Sequence, residues 1–183
     1  MPGINLTREE AVQRAETVSV DSYDVVLDLT DNPETFAART TVRFTATPGA
    51  STFIDAITAS VESVTLNGKQ LDPAEVSNGV RIQLPDLAET NELVVESRMS
   101  YMNTGEGLHR FVDPVDDEVY LYSQFEVADA RRMFPVFEQP DLKATFRFDV
   151  TAPDHWAVVS NQPTPEPTPV REGVPGGSSP PPP

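Results

Sequence analysis

At 183 residues, with 38% hydrophobic content, the chain has enough apolar side chain for one packed domain with extras. Its 29 acidic against 13 basic residues give a formal net charge of -16, which repels phosphate backbones and anionic lipid surfaces and so argues against nucleic-acid and membrane partners. The absence of cysteine excludes disulfides, thiolate catalysis and Cys-ligated zinc within the chain; it fits a reducing compartment, and a lineage that uses little cysteine explains it about as well.

The N-terminal stretch MPGINLTREEAVQRAETV has no apolar core of the secretory kind. No apolar run in the chain approaches the ~18 residues of a membrane helix, so the expected location is cytoplasmic. Thr7 followed three residues later by Glu10 reads as a capping box, which predicts a short helix over roughly Arg8 to Ala15, expected as a decoration on the surface.

From Val20 the period changes to two. Val25, Leu27 and Leu29 alternate with Asp24, Val26 and Asp28, and Val42 and Phe44 alternate with Arg43 and Thr45, the pattern of half-buried strands. Thr52 to Ile57 and Val61 to Leu66 continue the series, and Asn67-Gly68 stands where a two-residue type I′ turn requires positive φ. GVRIQLP, NELVVESRMSY, EVYLYSQF, KATFRFDVTAP and HWAVVSN bring the total to about nine short strands with turn residues between them. The fold class expected is all-β, an antiparallel β-sandwich with a short N-terminal helix. From Asn161 the chain turns to Pro, Gly, Ser, Thr and Glu, so an extended, disordered tail is expected, low in complexity over 175–183.

Motifs that carry chemistry are few. There is no Walker loop, no Gly-x-Ser-x-Gly elbow and no dinucleotide-binding glycine pattern. With only His109 and His155, the chain cannot hold a His-Glu-x-x-His pair, so no zinc site and no catalytic residue are expected within it. His109 in GLHRF has the chemistry of a general base, but a lone histidine beside a Gly-rich turn is more often a packing or hydrogen-bonding residue. Asp116, Asp117 and Glu118 offer the paired carboxylates of a glycosidase, yet their adjacency suits a solvated acidic turn better. Gln124 and Glu126, two apart in an expected strand, would share one face with Phe125 on the other; they are either the solvent face of an edge strand or a pair of polar groups presented to one ligand. Asp129, Arg131 and Arg132 read as a capped turn with surface ion pairs, and Phe134, Pro135 and Phe137 as the residues that bury it.

GLHRF, YLYSQFE, DARRMFPVFEQPDLKATF and the opening NLTREEAVQRAETVSVDSYDVVLDL together resemble the N-terminal domain of the aminopeptidase N family, zinc metallo-aminopeptidases of the gluzincin type, in particular its actinobacterial members. The resemblance covers nearly all of residues 1–174 in order, with 175–183 as a separate Pro/Gly/Ser tail. This sequence has Phe-Glu-Gln-Pro at Phe137 to Pro140 where many relatives have Phe-Asp-Glu-Pro, and Gln-Phe-Glu-Val where many have Gln-Phe-Glu-Pro.

The resemblance implies a β-sandwich packed beside a thermolysin-like catalytic domain of the same polypeptide. Gln124 would line the pocket for the first substrate side chain and Glu126 would bind the free α-amine of a peptide substrate, which a carboxylate does through a charge-assisted hydrogen bond. It also implies that the Gly-Ala-Met-Glu-Asn segment, the His-Glu-x-x-His helix and the remaining zinc and transition-state residues lie beyond this chain. Zinc would then be a cofactor of the full-length enzyme and not of this chain, which should be inactive alone. Relatives continue with further sheet-forming sequence, so the domain is expected to be incomplete at its C-terminal edge. The competing function class is a stand-alone β-sandwich binding module.

Overall fold

The structure, a computed structural model, describes residues 5–170. Helix α1 (Arg8–Thr17) starts on the expected capping box: the Glu10 amide donates to the Thr7 hydroxyl at 3.2 Å, and the Thr7 amide donates back to the Glu10 carboxylate at 2.8 Å. Ten strands follow, β1 (Val18–Asp28), β2 (Thr35–Ala46), β3 (Thr52–Asp55), β4 (Ser60–Leu66), β5 (Lys69–Leu71), β6 (Arg81–Leu84), β7 (Thr90–Ser100), β8 (Gly107–Val112), β9 (Val119–Gln124) and β10 (Thr145–Thr151). A single-turn helix α2 (Pro73–Val76) precedes β6, and a 3₁₀ turn spans Ala130–Arg132.

Six strands form the main sheet in the order β10-β1-β2-β7-β4-β5, with β3-β6 and β8-β9 as separate two-stranded sheets. Alternation decides which face is inside. Tyr23, Val25 and Leu27 of β1, Phe36, Val42 and Phe44 of β2, and Leu93, Val95 and Met99 of β7 are buried against Ile54 of β3 and Ile82 and Leu84 of β6. A bulge at Asp21, where the β1-β2 register shifts between Val20 and Ser22, lets Val20 and Tyr23 both point inward. The outer face carries charge instead: Arg43 bridges Asp24 at 2.6 Å and Glu92 at 3.1 Å, exposed pairs worth about 0.2 to 1 kcal/mol each.

The sandwich is therefore as expected, with four departures. β10 pairs parallel to β1, from Ser22 opposite Thr145 to Asp28 opposite Thr151, so the main sheet is mixed and not wholly antiparallel. Short-range alternation does not distinguish the two directions, because the partners lie more than a hundred residues apart. HWAVVSN is no strand: the Trp156 amide is tied in a turn to the Pro153 carbonyl at 3.0 Å, and Val159 is exposed. In its place β5 and β8 enter the count, β5 because Asn67 and Gly68, with φ of 53° and 78°, make the expected hairpin turn out of β4. Lastly, α1 is not a mere decoration, because Arg14 passes from it into the interior and is only 1% exposed.

Arg14 organises the polar part of the core. Its guanidinium donates to the Asp55 carboxylate at 2.7 Å and to the Gln139 side chain at 3.0 Å, and it lies over the rings of Phe53 and Phe137. Arg81, equally buried, donates to Glu10 at 2.6 Å and lies over the other side of this cluster, with its Nε 3.8 Å from Asp55 Oδ1. The hydrogen bond and charge of Arg81 hold the Glu10 carboxyl down to about 2. Residues 161–170 are exposed and without regular structure, and the low-complexity tail expected over 175–183 lies outside the described residues, as does the expected boundary at 174.

Candidate functional site

The segment that the sequence singled out is built on the β8-β9 hairpin and the 3₁₀ turn behind it. Pairing runs from Val112 opposite Val119 to Gly107 opposite Gln124, which places His109, Phe111, Tyr120, Tyr122 and Gln124 on one face. His109 stacks on Tyr122 at 4.7 Å between ring centroids, and its Nδ1 accepts from the Gly105 amide at 3.1 Å. It thus has the packing and hydrogen-bonding role. The acidic tip is a turn: Asp116 accepts from the Glu118 amide at 2.9 Å and from the Tyr120 hydroxyl at 2.9 Å, and Asp117 has φ +59°.

Gly107 explains why GEGLHRF needs its second glycine. Its φ is +60°, and a Cβ there would lie 2.7 Å from the Cβ of Arg132 in the 3₁₀ turn, so hairpin and turn meet backbone to side chain at this point. Gly107→Ala should destabilise the chain by about 1 to 3 kcal/mol, strain plus the shift forced on Arg132. Gly79→Ala, also at positive φ (+83°) but in open space, is the control for the conformational part. Equal urea midpoints for the two variants would mean that the hairpin is not pinned here.

Gln124 and Glu126 do not share a strand face as expected. β9 ends at Gln124 because β8, its only partner among the described residues, begins opposite at Gly107. Phe125 then turns inward, edge-on to buried Phe134 at 5.8 Å, and Glu126 falls in an exposed bend. The two are joined another way: the Gln124 side-chain oxygen accepts from the Glu126 amide at 2.5 Å, so one side chain fixes the backbone that carries the other. The Glu126 carboxylate makes no ion pair or hydrogen bond among the described residues and stands free in solvent. The peptide bond after Val127 is cis. Glu106, one residue before the Gly107–Gln124 pair, adds a second carboxylate at this end of the hairpin; the Thr104 hydroxyl holds it below the usual carboxylate range.

The turn after the bend is held from beneath rather than by surface ion pairs. Arg132 does pair with Asp129 at 2.8 Å, but Arg131 is buried: its amide donates to the Glu138 carboxylate at 2.7 Å and its guanidinium to the Ala128 carbonyl at 2.8 Å. Burial pushes the Glu138 carboxyl up, against the opposing pull of the Arg131 amide and charge. Phe134, Pro135 and Phe137 are buried as expected, and Met133 and Val136 are buried with them. The Asp55–Val136 backbone bridge and the Phe137 amide, which donates to the Tyr23 hydroxyl oxygen at 3.1 Å, fasten them to the sandwich. Sequence reasoning missed Arg14, Asp55, Arg81 and Glu138 as the frame of this site; an arginine in a helix assigned to the surface carries no sign of burial.

The arrangement presents an exposed, unpaired carboxylate and a polar amide from a braced strand end, which suits a cationic group such as a protonated amine. It does not suit a metal: among the described residues no three His, Asp or Glu side chains converge as ligands, with His109 on the hairpin and exposed His155 beside Glu118 and Asp154. Among the described residues no helix is long and apolar enough to cross a membrane.

The family model for the peptidase M1 N-terminal domain matches residues 19–174. Aminopeptidase N of Streptomyces lividans is 60% identical over 171 residues, which is 91% of this chain and 20% of the relative. Aminopeptidase N of Acetobacter pasteurianus is 38% identical over 133 residues, 59% of this chain and 36% of the relative. Among solved structures, yeast LTA4 hydrolase superposes with a TM-score of 0.62 at 19% identity, over 76% of this chain and 23% of that one. At that identity the likeness concerns the fold alone. The chain thus spans about a fifth of the Streptomyces relative.

Proposed function

The chain belongs to the peptidase M1 N-terminal domain family, and from that premise we propose that it is the substrate-anchoring part of a zinc-dependent aminopeptidase that removes N-terminal residues from peptides. Glu126 binds the free α-amine of the substrate and Gln124 lines the pocket for the first side chain. The observation that carries this reading is the free Glu126 carboxylate in an exposed bend whose backbone amide is held by Gln124. A protonated amine offers N–H donors to such a carboxylate, and an acylated or internal peptide nitrogen carries no charge for it to meet. Gln124 keeps its side-chain N–H groups free while its oxygen is engaged, so it can donate to the substrate backbone or side chain.

The two histidines and the scattered carboxylates of the described residues do not make a zinc site. Zinc belongs, on this reading, to a catalytic domain of the same polypeptide outside this chain. Cytoplasmic action on peptides is part of the same proposal. The purified chain alone is expected to bind no zinc in a stoichiometric, chelator-sensitive manner and to cleave no aminoacyl-p-nitroanilide. Metal analysis after dialysis, with a peptidase assay on protein freed of contaminating enzymes, decides this; turnover that tracks the purified chain would sink the fragment reading.

A further inference from the structure

The bend that carries Glu126 has no ladder or helical turn to fix it. The side chains of Glu126 and Val127 are exposed, and no backbone–backbone hydrogen bond among the described residues reaches Glu126, Val127 or Ala128. Its course is set by side chains at either end. Before Glu126, Phe125 lies edge-on to Phe134 at 5.8 Å and the Gln124 oxygen accepts from the Glu126 amide. After it, Arg131 Nε donates to the Ala128 carbonyl at 2.8 Å.

Arg131 is held independently of the bend. It is only 3% exposed; its amide donates to the Glu138 carboxylate at 2.7 Å, and its carbonyl accepts from the Ile57 amide at 2.8 Å. The Glu138 amide donates in turn to Asp55 at 3.2 Å, so the line of contacts runs from the buried core to the bend. The guanidinium is also gripped on its far side, where Nη2 donates to the Asn5 side-chain oxygen at 3.2 Å. A planar fork held at Asn5 presents Nε in one direction, so the Ala128 carbonyl meets a donor that cannot swing. The adjacent arginine is different: Arg132 pairs with the Asp129 side chain at 2.8 Å and bonds to no backbone group of the bend.

We propose that Arg131 is a positioning residue for amine recognition: by holding the Ala128 carbonyl it keeps residues 126–128 on the one course that aims the Glu126 carboxylate at the substrate amine. The inference rests on the reading of Glu126 given above. Without the brace, the bend would have to be ordered each time a substrate binds, and the entropy of that ordering would be subtracted from the contact with the amine. Arg131 therefore acts through Glu126 and touches no substrate, so its removal cannot cost more than the loss of Glu126 itself.

Two measurements test this, one on the 183-residue chain and one on an enzyme that carries it. Arg131→Lys keeps a positive charge beside Glu138 but offers a point charge on a flexible stem in place of the fork. Asn5→Ala releases the far side of the guanidinium at an exposed position, so it tests the brace even if the lysine variant fails to fold. In the chain, NMR order parameters of the Glu126 and Val127 amides should lie near the rigid value of about 0.85 and fall below about 0.6 in Arg131→Lys, with a smaller fall in Asn5→Ala. In the enzyme, Arg131→Lys should lower kcat/KM for free-amine peptides about tenfold and leave N-acetylated peptides unchanged, while Arg132→Lys should alter neither. A merely structural role would lower both substrates in proportion, through the folded fraction. Added to Glu126→Ala, Arg131→Lys should cost almost nothing further. A bend that stays rigid in both variants, or equal losses on free and N-acetylated peptides, would overturn the inference and leave Glu126 in the site. If Glu126→Ala alone kept wild-type preference while Arg131→Lys still loosened the bend, the amine-binding reading would fall, and the role of Arg131 in recognition with it, and only a structural brace would remain.

Discussion

In an enzyme that carries this domain ahead of its catalytic part, Glu126→Ala is expected to lower kcat/KM for peptides with a free amine by about 10- to 150-fold. The figure is the loss of one hydrogen bond to a charged group, about 1.5 to 3 kcal/mol. The fold should hardly notice, since Glu126 is exposed and its side chain makes no hydrogen bond or ion pair among the described residues. Glu126→Gln keeps the shape and one acceptor but not the charge, so its activity should fall between the two. Gln124→Ala is not independent of this position. Its oxygen caps the Glu126 amide, so its removal loosens the backbone that aims the carboxylate, besides changing the preference among first side chains. The double variant should therefore lose less than the sum of the single losses, as expected for residues that share a contact. Steady-state kinetics on matched free and N-acetylated peptides gives the answer: wild-type kcat/KM with an undiminished preference for the free amine in Glu126→Ala would remove this residue from the site.

The largest effect on stability is expected at Asp55. Asp55→Ala strips the ion-pair partner from Arg14, which at 1% exposure has no access to water, leaves the Glu138 amide without its acceptor, and removes the carboxylate 3.8 Å from the Arg81 guanidinium. Breaking a buried pair from one side costs about 3 to 5 kcal/mol, against a typical total of about 5 to 15. For a domain of this size that corresponds to a fall in Tm of roughly 6 to 20 °C. Removing both partners is a different matter: Arg14→Met with Asp55→Leu fills similar space without a stranded charge, and should recover much of the loss. Thermal unfolding followed by circular dichroism separates the cases. A double variant no better than Asp55→Ala would mean that the polar network, rather than the stranded charge, holds α1 in place.

Much of the architecture was legible because it is written in local periods. Thr7 with Glu10, Asn67 with Gly68, and the alternation through β1, β2 and β7 each carry their own geometric reason, and the structure agrees at each. What was not legible is what depends on distant partners. β10 is parallel to β1 because of where the chain returns to the sheet, and HWAVVSN, which alternates well enough for a strand, finds no partner. Arg14 is the one buried residue of its helix, whose few apolar side chains, Ala11, Val12 and Ala15, mark no inner face, so its burial follows from Asp55 and Gln139, 41 and 125 residues away. The candidate site was half legible. Gln124 and Glu126 do lie together at a strand end, but through a side chain bonded to backbone, since the length of β8 and not the alternation of β9 decides where the strand stops.

The position of β1 has a consequence for how the protein is made. Among the described strands β1 leaves the ribosome first; it is flanked on one side by β2, available at once, and on the other by β10, the last of them to be made. At ~5 to 20 residues per second, the stretch between them takes roughly 6 to 25 seconds to synthesise. Throughout that interval the nascent chain offers an open flank on β1, with Tyr23 lacking its stacking partner Phe146 and Arg14 lacking Gln139. Closure comes only when the C-terminal part arrives, so translation speed and nascent-chain chaperones should bear on the yield of folded protein more strongly than the short local turns suggest.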